Sequence, residues 1–392
     1  MTKKKSTKKE TGAIDWASLS GHYGMEILDK VESIPYYIDT GILSLNYVCS
    51  GKFINGGIPL GRIVEIYGDS STGKTLIGTN ILKGAQKRNG VPILLDAEQS
   101  MSKEFAVIAS KVDPTRFLIM SSPTLEGCFN KIYGSIKKVR EQAPGDYPIV
   151  VVYDSIAASP SEREWAETEL DMETATKAEI KTAGAGATKP GERAKTCSKH
   201  FRNLPKYLRD NNASLVVINQ LRQQIGVMFG DDRIGAGGGR SLEYYTAVRL
   251  YMQAKKVPKD DKGNVLGVNI TVRNTKNKCF RPFVEAEQMR LYFDQGIDPF
   301  GGLLSLFIRT GRVNTKGGGN YWVEEPYANG EEIKFKANKE KNTVPPEVLL
   351  KCPALVDADS SEEVQYYIDL YQSAITATEE IASEDEFKGG ED

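Results

Sequence analysis

Short runs of apolar, largely β-branched residues recur through the middle of the chain, separated by stretches long enough for a helix. The runs are Ile63–Tyr67, Ile93–Leu95, Phe117–Met120, Ile149–Tyr153, Leu215–Ile218, Ala247–Met252 and Val268–Val272. Each is continuous rather than alternating, which predicts strands buried on both faces and hence a largely parallel α/β sheet. Intervals such as Thr75–Arg88 and Leu125–Val139 have the length of crossover helices. Near Phe300 the pattern changes to Gly-rich turns, a Pro345-Pro346 pair and an amphipathic stretch over Glu362–Ile375, which predicts a small C-terminal domain. Two segments break the rhythm, 160–191 and 225–240, and long irregular segments inside an α/β domain are candidate functional loops.

Composition changes this picture little, but charge placement does. The 392 residues include 51 Lys and Arg against 52 Asp and Glu, a net charge of −1. That total hides a lysine-rich start (Lys3, Lys4, Lys5, Lys8, Lys9) and an acidic tail over 379–392, both disordered by composition. The body between them is neutral, so anion binding there must come from local clusters. Five well-separated cysteines and two histidines argue against a disulfide framework, a zinc knuckle and a Ser-His-Asp triad, and suit a reducing compartment. No run of 18 apolar residues occurs, and the expectation is a cytoplasmic protein with no membrane partner.

The most specific chemistry lies at Gly68-Asp-Ser-Ser-Thr-Gly-Lys74-Thr75, which fits G-x-x-x-x-G-K-[ST] directly after a strand and before a helix. In such a P-loop the backbone of Gly68, Asp69, Ser70, Ser71, Thr72, Gly73 and on to Leu76 cradles phosphates. Lys74 meets the β- and γ-phosphates, and the Thr75 hydroxyl reaches Mg²⁺. Asp154 ends the run Ile149–Tyr153, where a carboxylate in a parallel sheet can serve the same metal. Between them, Ile93-Leu-Leu-Asp96-Ala-Glu98 ends a second strand in carboxylates. Asp96 and Glu98 share strand parity; Glu98, further out, is the better candidate to orient a water against the γ-phosphate. ATP and Mg²⁺ are the implied cofactors.

Three segments then resemble the RecA family of strand-exchange recombinases: Asn55-Gly-Gly-Ile-Pro-Leu-Gly-Arg-Ile-Val-Glu-Ile-Tyr-Gly68, Leu94-Leu-Asp-Ala-Glu98, and Ile218-Asn-Gln-Leu-Arg-Gln-Gln-Ile-Gly-Val-Met-Phe-Gly230. The likeness runs from about Asp39 to Leu291 and, more weakly, through Gly296–Gly302. The N-terminal region looks shorter and divergent, as in phage-encoded members. The resemblance implies a RecA-type P-loop ATPase core over 35–290, behind a basic arm and short polymerisation segment at 1–34. It also implies a small C-terminal α/β domain over 291–378 and an acidic tail over 379–392.

The resemblance also implies roles. Gln220 falls at the family's γ-phosphate sensor, between a strand and the second DNA loop. In that loop Arg222, Ile225, Gly226, Val227, Met228 and Phe229 would meet DNA, with Ile225 as a wedge between bases. Gly237, Gly238 and Gly239 would let backbone approach phosphates, a flexible linker being the alternative. Lys195, Lys199, Arg202, Lys206 and Arg209 repeat at helical spacing, a stripe that suits a phosphate backbone or is simply a solvated face. Of these, Lys195 and Arg202 match family DNA positions, and Pro205 is expected to kink the helix beyond Arg202. Lys276 and Lys278, two apart in an extended segment, would reach a neighbouring protomer's ATP. Tyr244 would couple subunits beside the nucleotide, and Phe105 would stack near adenine. Glu243 stands where bacterial members usually carry Lys, and the 154–191 segment is too long for first-loop contacts to be carried over.

Together these residues predict a DNA-dependent ATPase that polymerises as a helical filament on single-stranded DNA and pairs it with homologous duplex, served by single-strand-binding or loading proteins. A RecA-fold hexameric helicase or a non-catalytic recombinase mediator would share the P-loop and Asp154, and both stay open at this point.

Overall fold

The computed structural model describes residues 34–143, 145–166, 168, 191–223, 233–235, 239–256, 263, 265–293, 296–328, 330–337, 342–369 and 372, with Trp16, Ser20, Met25 and Ile27. Contacts divide the chain into Met1–Pro35 and Tyr36–Asp392. In the first unit the Ser20 amide donates to the Trp16 carbonyl at 3.1 Å.

The strands of the second unit are β1 (Tyr37–Ile38), β2 (Ile58–Pro59), β3 (Ile63–Gly68), β4 (Val91–Asp96), β5 (Leu118–Met120), β6 (Ile149–Asp154), β7 (Ala213–Gln223), β8 (Arg233–Gly235), β9 (Val248–Lys256), β10 (Gly267–Asn277), β11 (Glu285–Tyr292), β12 (Gly296–Ile297), β13 (Asn314–Gly317), β14 (Asn320–Val323) and β15 (Ile333–Lys336). The helices used below are α1 (Leu43–Ser50), α2 (Lys74–Lys87), α3 (Lys103–Ser110), α4 (Leu125–Gln142), α5 (Glu192–Asp210), α6 (Gly239–Tyr245), α7 (Leu303–Arg309) and α8 (Pro346–Lys351).

The main sheet runs β12-β11-β10-β9-β3-β7-β6-β4-β5, with β8 paired to β7. From β9 to β5 every neighbouring pair is parallel, as the continuous apolar runs predict. β10, β11 and β12 extend it antiparallel. This extension was only half legible: β11 mixes buried and half-buried positions and carries polar residues between its apolar ones, so a search for continuous apolar runs passes over it.

Two apolar clusters sandwich the sheet. One packs Val64 and Ile66 with Ile77 and Ile81 of α2, and continues through α1 into α7 and α8. The C-terminal segment therefore shares that core, as the edge-to-face contact of Phe53 and Phe307 at 5.1 Å illustrates. The other cluster packs Ile63, Val151 and Leu215 under Phe129 of α4 and Phe201 of α5.

α5 runs unbroken from Glu192 to Asp210 with Pro205 inside it. Its buried face is Cys197, Phe201, Leu204 and Leu208, and this apolar packing holds the helix through the proline. The amphipathic stretch near the C-terminus is helical over 361–369, and its remainder apart from Gln372 lies outside the described residues.

Candidate ATP site and its link to β7

β3 delivers the chain to Gly68, and α2 begins six residues later at Lys74. Two glycines make this loop possible. A Cβ on Gly68 would lie 2.2 Å from the Met252 carbonyl oxygen of β9. Gly73 caps α2 at φ 81°, and its Cβ would fall 2.1 Å from a Leu291 methyl. The Lys74 side chain is 7% exposed and folds back over the loop. Its ammonium donates to the carbonyls of Gly68 at 3.1 Å and Asp69 at 2.5 Å. Burial lowers the Lys74 pKa against the pull of Asp154, Asp69 and Glu98. Ser70 and Ser71 are exposed, the Thr72 hydroxyl donates to the Asp69 carbonyl, and the Leu76 side chain points into the core.

Thr75 and Asp154 meet as expected: the Thr75 hydroxyl donates to Asp154 Oδ2 at 2.6 Å. Asp154 ends β6, is 6% exposed, and begins a cis peptide to Ser155. Burial, reinforced by Glu98 and Asp96, pushes its carboxyl up to about 6, while Thr75 and Lys74 pull it down. A buried carboxylate and a hydroxyl beside a phosphate-binding loop are hard oxygen donors, and the carboxylate lacks a full counter-charge. That donor set fits Mg²⁺.

The carboxylates after β4 part company for a reason that strand parity could not supply. β4 ends at Asp96, whose oxygens accept the amides of Ser100 at 3.4 Å and Met101 at 3.0 Å and so cap the turn. Glu98, beyond the strand, reaches across the sheet end instead. Its Oε1 accepts from the Ser155 hydroxyl at 2.6 Å and from the Gln220 side-chain amide at 3.0 Å. Gln220 sits within β7, which continues to Gln223, rather than after the strand's end. It is aligned with Gly68 on β3. One carboxylate oxygen thus joins the strand ending in Asp154 to the strand that leads into residues 224–232.

The other candidates are distributed as follows. Lys195, Lys199, Arg202, Lys206 and Arg209 are all exposed along α5, Lys206 pairing with Asp210 at 2.5 Å. Tyr244, on α6, is 73% exposed. Lys276 is the last residue but one of β10, after a register shift, and donates to the Glu243 and Tyr244 carbonyls, the latter at 3.0 Å. Lys278 lies past the strand, so the pair does not share one extended segment, although its charge still helps burial lower the Lys276 pKa. Phe105 is on α3, Arg222 on β7 and Gly239 begins α6, but the side chains of Phe105 and Arg222 lie outside the described residues. So do Ile225, Gly226, Val227, Met228, Phe229, Gly237 and Gly238, the lysine-rich arm and the acidic tail.

Sequence reasoning missed four polar residues that border this site. Ser155 follows Asp154 directly and carries the second bond to Glu98. Glu65, Asn219 and Arg249 form a buried group behind the P-loop. A charged residue inside the otherwise apolar run Ile63–Tyr67 was the available signal.

The RecA N-terminal domain family model matches residues 23–298, so the likeness extends further at both ends than the quoted motifs. Among similar proteins, "Protein RecA" of Thermus thermophilus is 31% identical over 327 residues, 83% of this chain and 86% of that one. The namesake from Kineococcus radiotolerans is 32% identical over 309 residues, 79% of each chain. That of Chlamydia muridarum is 29% identical over 336 residues, 85% of this chain and 84% of the relative. With a P-loop, a paired Thr75 and Asp154, and a glutamate bonded to β7, the chain belongs to the RecA family.

Proposed function

We propose that this chain is an ATP-dependent recombination and repair protein that assembles as a filament on single-stranded DNA and pairs it with homologous duplex. The single observation that carries the reading is the Gln220–Glu98 hydrogen bond, because it joins the hydrolytic carboxylate to the strand that becomes the DNA loop.

In this mechanism the P-loop amides and Lys74 bind the phosphates of ATP. Thr75 and Asp154 would hold Mg²⁺, which supplies charge neutralisation to the β- and γ-phosphate oxygens. Ser155 and Gln220 both donate to Oε1 of Glu98, so Oε2 is the oxygen that orients the attacking water and accepts its proton. The water oxygen bonds to the γ-phosphorus as the bridge to ADP breaks. Gln220 exchanges its Glu98 contact for the γ-phosphate when ATP is bound, and the change passes along β7 into the loop that holds Arg222 and Ile225–Phe229. Lys195, Arg202 and the backbone at Gly237–Gly239 complete the DNA-binding set. Lys276 and Lys278 act on the ATP of a neighbouring protomer, with Tyr244 at the same interface and Phe105 against the adenine.

Phosphate release with and without single-stranded DNA tests this directly. The wild type is expected to hydrolyse ATP much faster with DNA, and Lys74→Ala to lose both that activity and strand exchange. Unchanged DNA-stimulated hydrolysis in Lys74→Ala would remove the assignment.

A further inference from the structure

Glu65 occupies the middle of β3, three residues before Gly68, with a side chain only 2% exposed. A lone carboxylate there would be strongly disfavoured. Both of its oxygens are engaged: Oε1 accepts from the Asn219 amide at 2.9 Å, and Oε2 from Arg249 Nε at 2.5 Å. β3 lies between the two partner strands, and Glu65 is in direct register with Arg249 on β9. Arg249 continues the chain of contacts, its Nη1 pairing with Glu243 on α6 at 2.8 Å. Its guanidinium also lies over the Tyr67 ring at 4.7 Å, and the Tyr67 hydroxyl meets Thr275, next to Lys276, at 2.9 Å.

The arrangement has two ends. Asn219 is the residue before Gln220, whose amide meets Glu98. Glu243 lies on the helix that resumes the chain after residues 236–238. Glu65 is bonded to both sides. If the end of β7 shifts when Gln220 changes partner, Glu65 cannot keep both bonds in place unless Arg249, and through it Glu243, follows.

We propose that Glu65 is a positioning residue for DNA-coupled ATP hydrolysis, tying the strand of Gln220 to the helix beyond the DNA loop through Asn219 and Arg249. This rests on the reading of Glu98 and Gln220 given above. A buried ion pair is a weak source of stability compared with apolar packing of the same volume, which favours a positional role for this one. The relay is a contiguous set of bonded groups, and its coupling is measurable as a failure of additivity.

The test uses the full-length protein and steady-state hydrolysis at varied ATP, with and without single-stranded DNA. Glu65→Gln keeps the shape and an acceptor for Asn219 but removes the charge that holds Arg249. The expected result is a KM for ATP and a DNA-free rate within twofold of wild type and a DNA-stimulated kcat at least tenfold lower, alongside a lower melting temperature from the broken pair. Asn219→Ala should show the same split, and the double variant should be no worse than the more impaired single one. Full stimulation in Glu65→Gln would overturn the proposal, and so would equal losses in the DNA-free and the DNA-stimulated rates. If Glu65→Gln does not fold, Asn219→Ala decides alone, and full stimulation there overturns the relay. A wild type that hydrolyses ATP without any response to DNA would instead remove the reading on which the proposal rests.

Discussion

Glu98 Oε1 receives two donors, Ser155 and Gln220, and the two have different expected consequences when removed. Gln220→Ala leaves the phosphate cradle and Ser155 untouched, so ATP binding should survive while the ATP-induced gain in DNA affinity disappears. Fluorescence anisotropy of labelled single-stranded DNA with and without ATP measures this, and a full response to ATP in the variant would exclude Gln220 as the switch. A second residue-scale prediction concerns Lys83, whose pKa burial lowers to about 8, helped by Lys111 and Lys87 and opposed by Asp39. The folded state then binds fewer protons than the unfolded one between about 8 and 10.5, so this group's contribution rises with pH across that window and is lost as pH falls through about 8. Lys83→Met keeps the aliphatic stem and should stabilise the protein by about 1–3 kcal/mol at pH 7, with the gain fading near pH 10. Denaturant unfolding at both pH values checks it, and a pH-independent difference would contradict it. At this scale Lys74, Thr75, Asp154 and Glu98 were legible because their spacing is tied to phosphate chemistry. Ser155, Glu65, Asn219 and Arg249 were not, because their partners come from three different strands that only the folded sheet brings side by side.

Among elements, β5 forms one edge of the main sheet and pairs with β4 alone on its described side. Leu118 and Ile119 are 51% and 56% exposed there. An exposed apolar edge is a template for another chain, and under the proposed filament assembly that chain is a second copy. Ile119→Lys is expected to leave ATP binding and melting unchanged while lowering assembly on DNA several-fold, as read by light scattering; normal assembly would free this edge from the interface. On α5, the exposed stripe includes Lys195 and Arg202, and replacing both with Ala should reduce the slope of log affinity for single-stranded DNA against log salt by about 1–1.5. An unchanged slope would mean that neither meets a phosphate. The apolar runs identified the parallel strands well, since burial on both faces leaves a continuous signature. They stopped short where strands grow polar, as β7 does at Asn219–Gln223 and β10 at Arg273–Asn277, and these polar ends carry much of the chemistry. At Pro205 the helix continues to Asp210, its face held by the packing of Leu204 and Leu208.

For the whole molecule, a net charge of −1 is a poor guide to partners, because a stripe of exposed cations runs along α5 while the most basic and acidic stretches are the two ends of the chain. The P-loop, the Thr75–Asp154 pair and Glu98 stand at one end of the sheet, and Gln220 connects them to β7, the strand that leads into the proposed DNA loop. The account therefore makes nucleotide state and DNA binding two readings of one equilibrium, expressed in assembly. Electron microscopy of the protein with single-stranded DNA and Mg²⁺, with and without ATP, tests that claim most directly. Regular helical filaments that form only when ATP is present are the predicted result. Filaments that are indifferent to nucleotide, or closed rings of fixed size in their place, would contradict it.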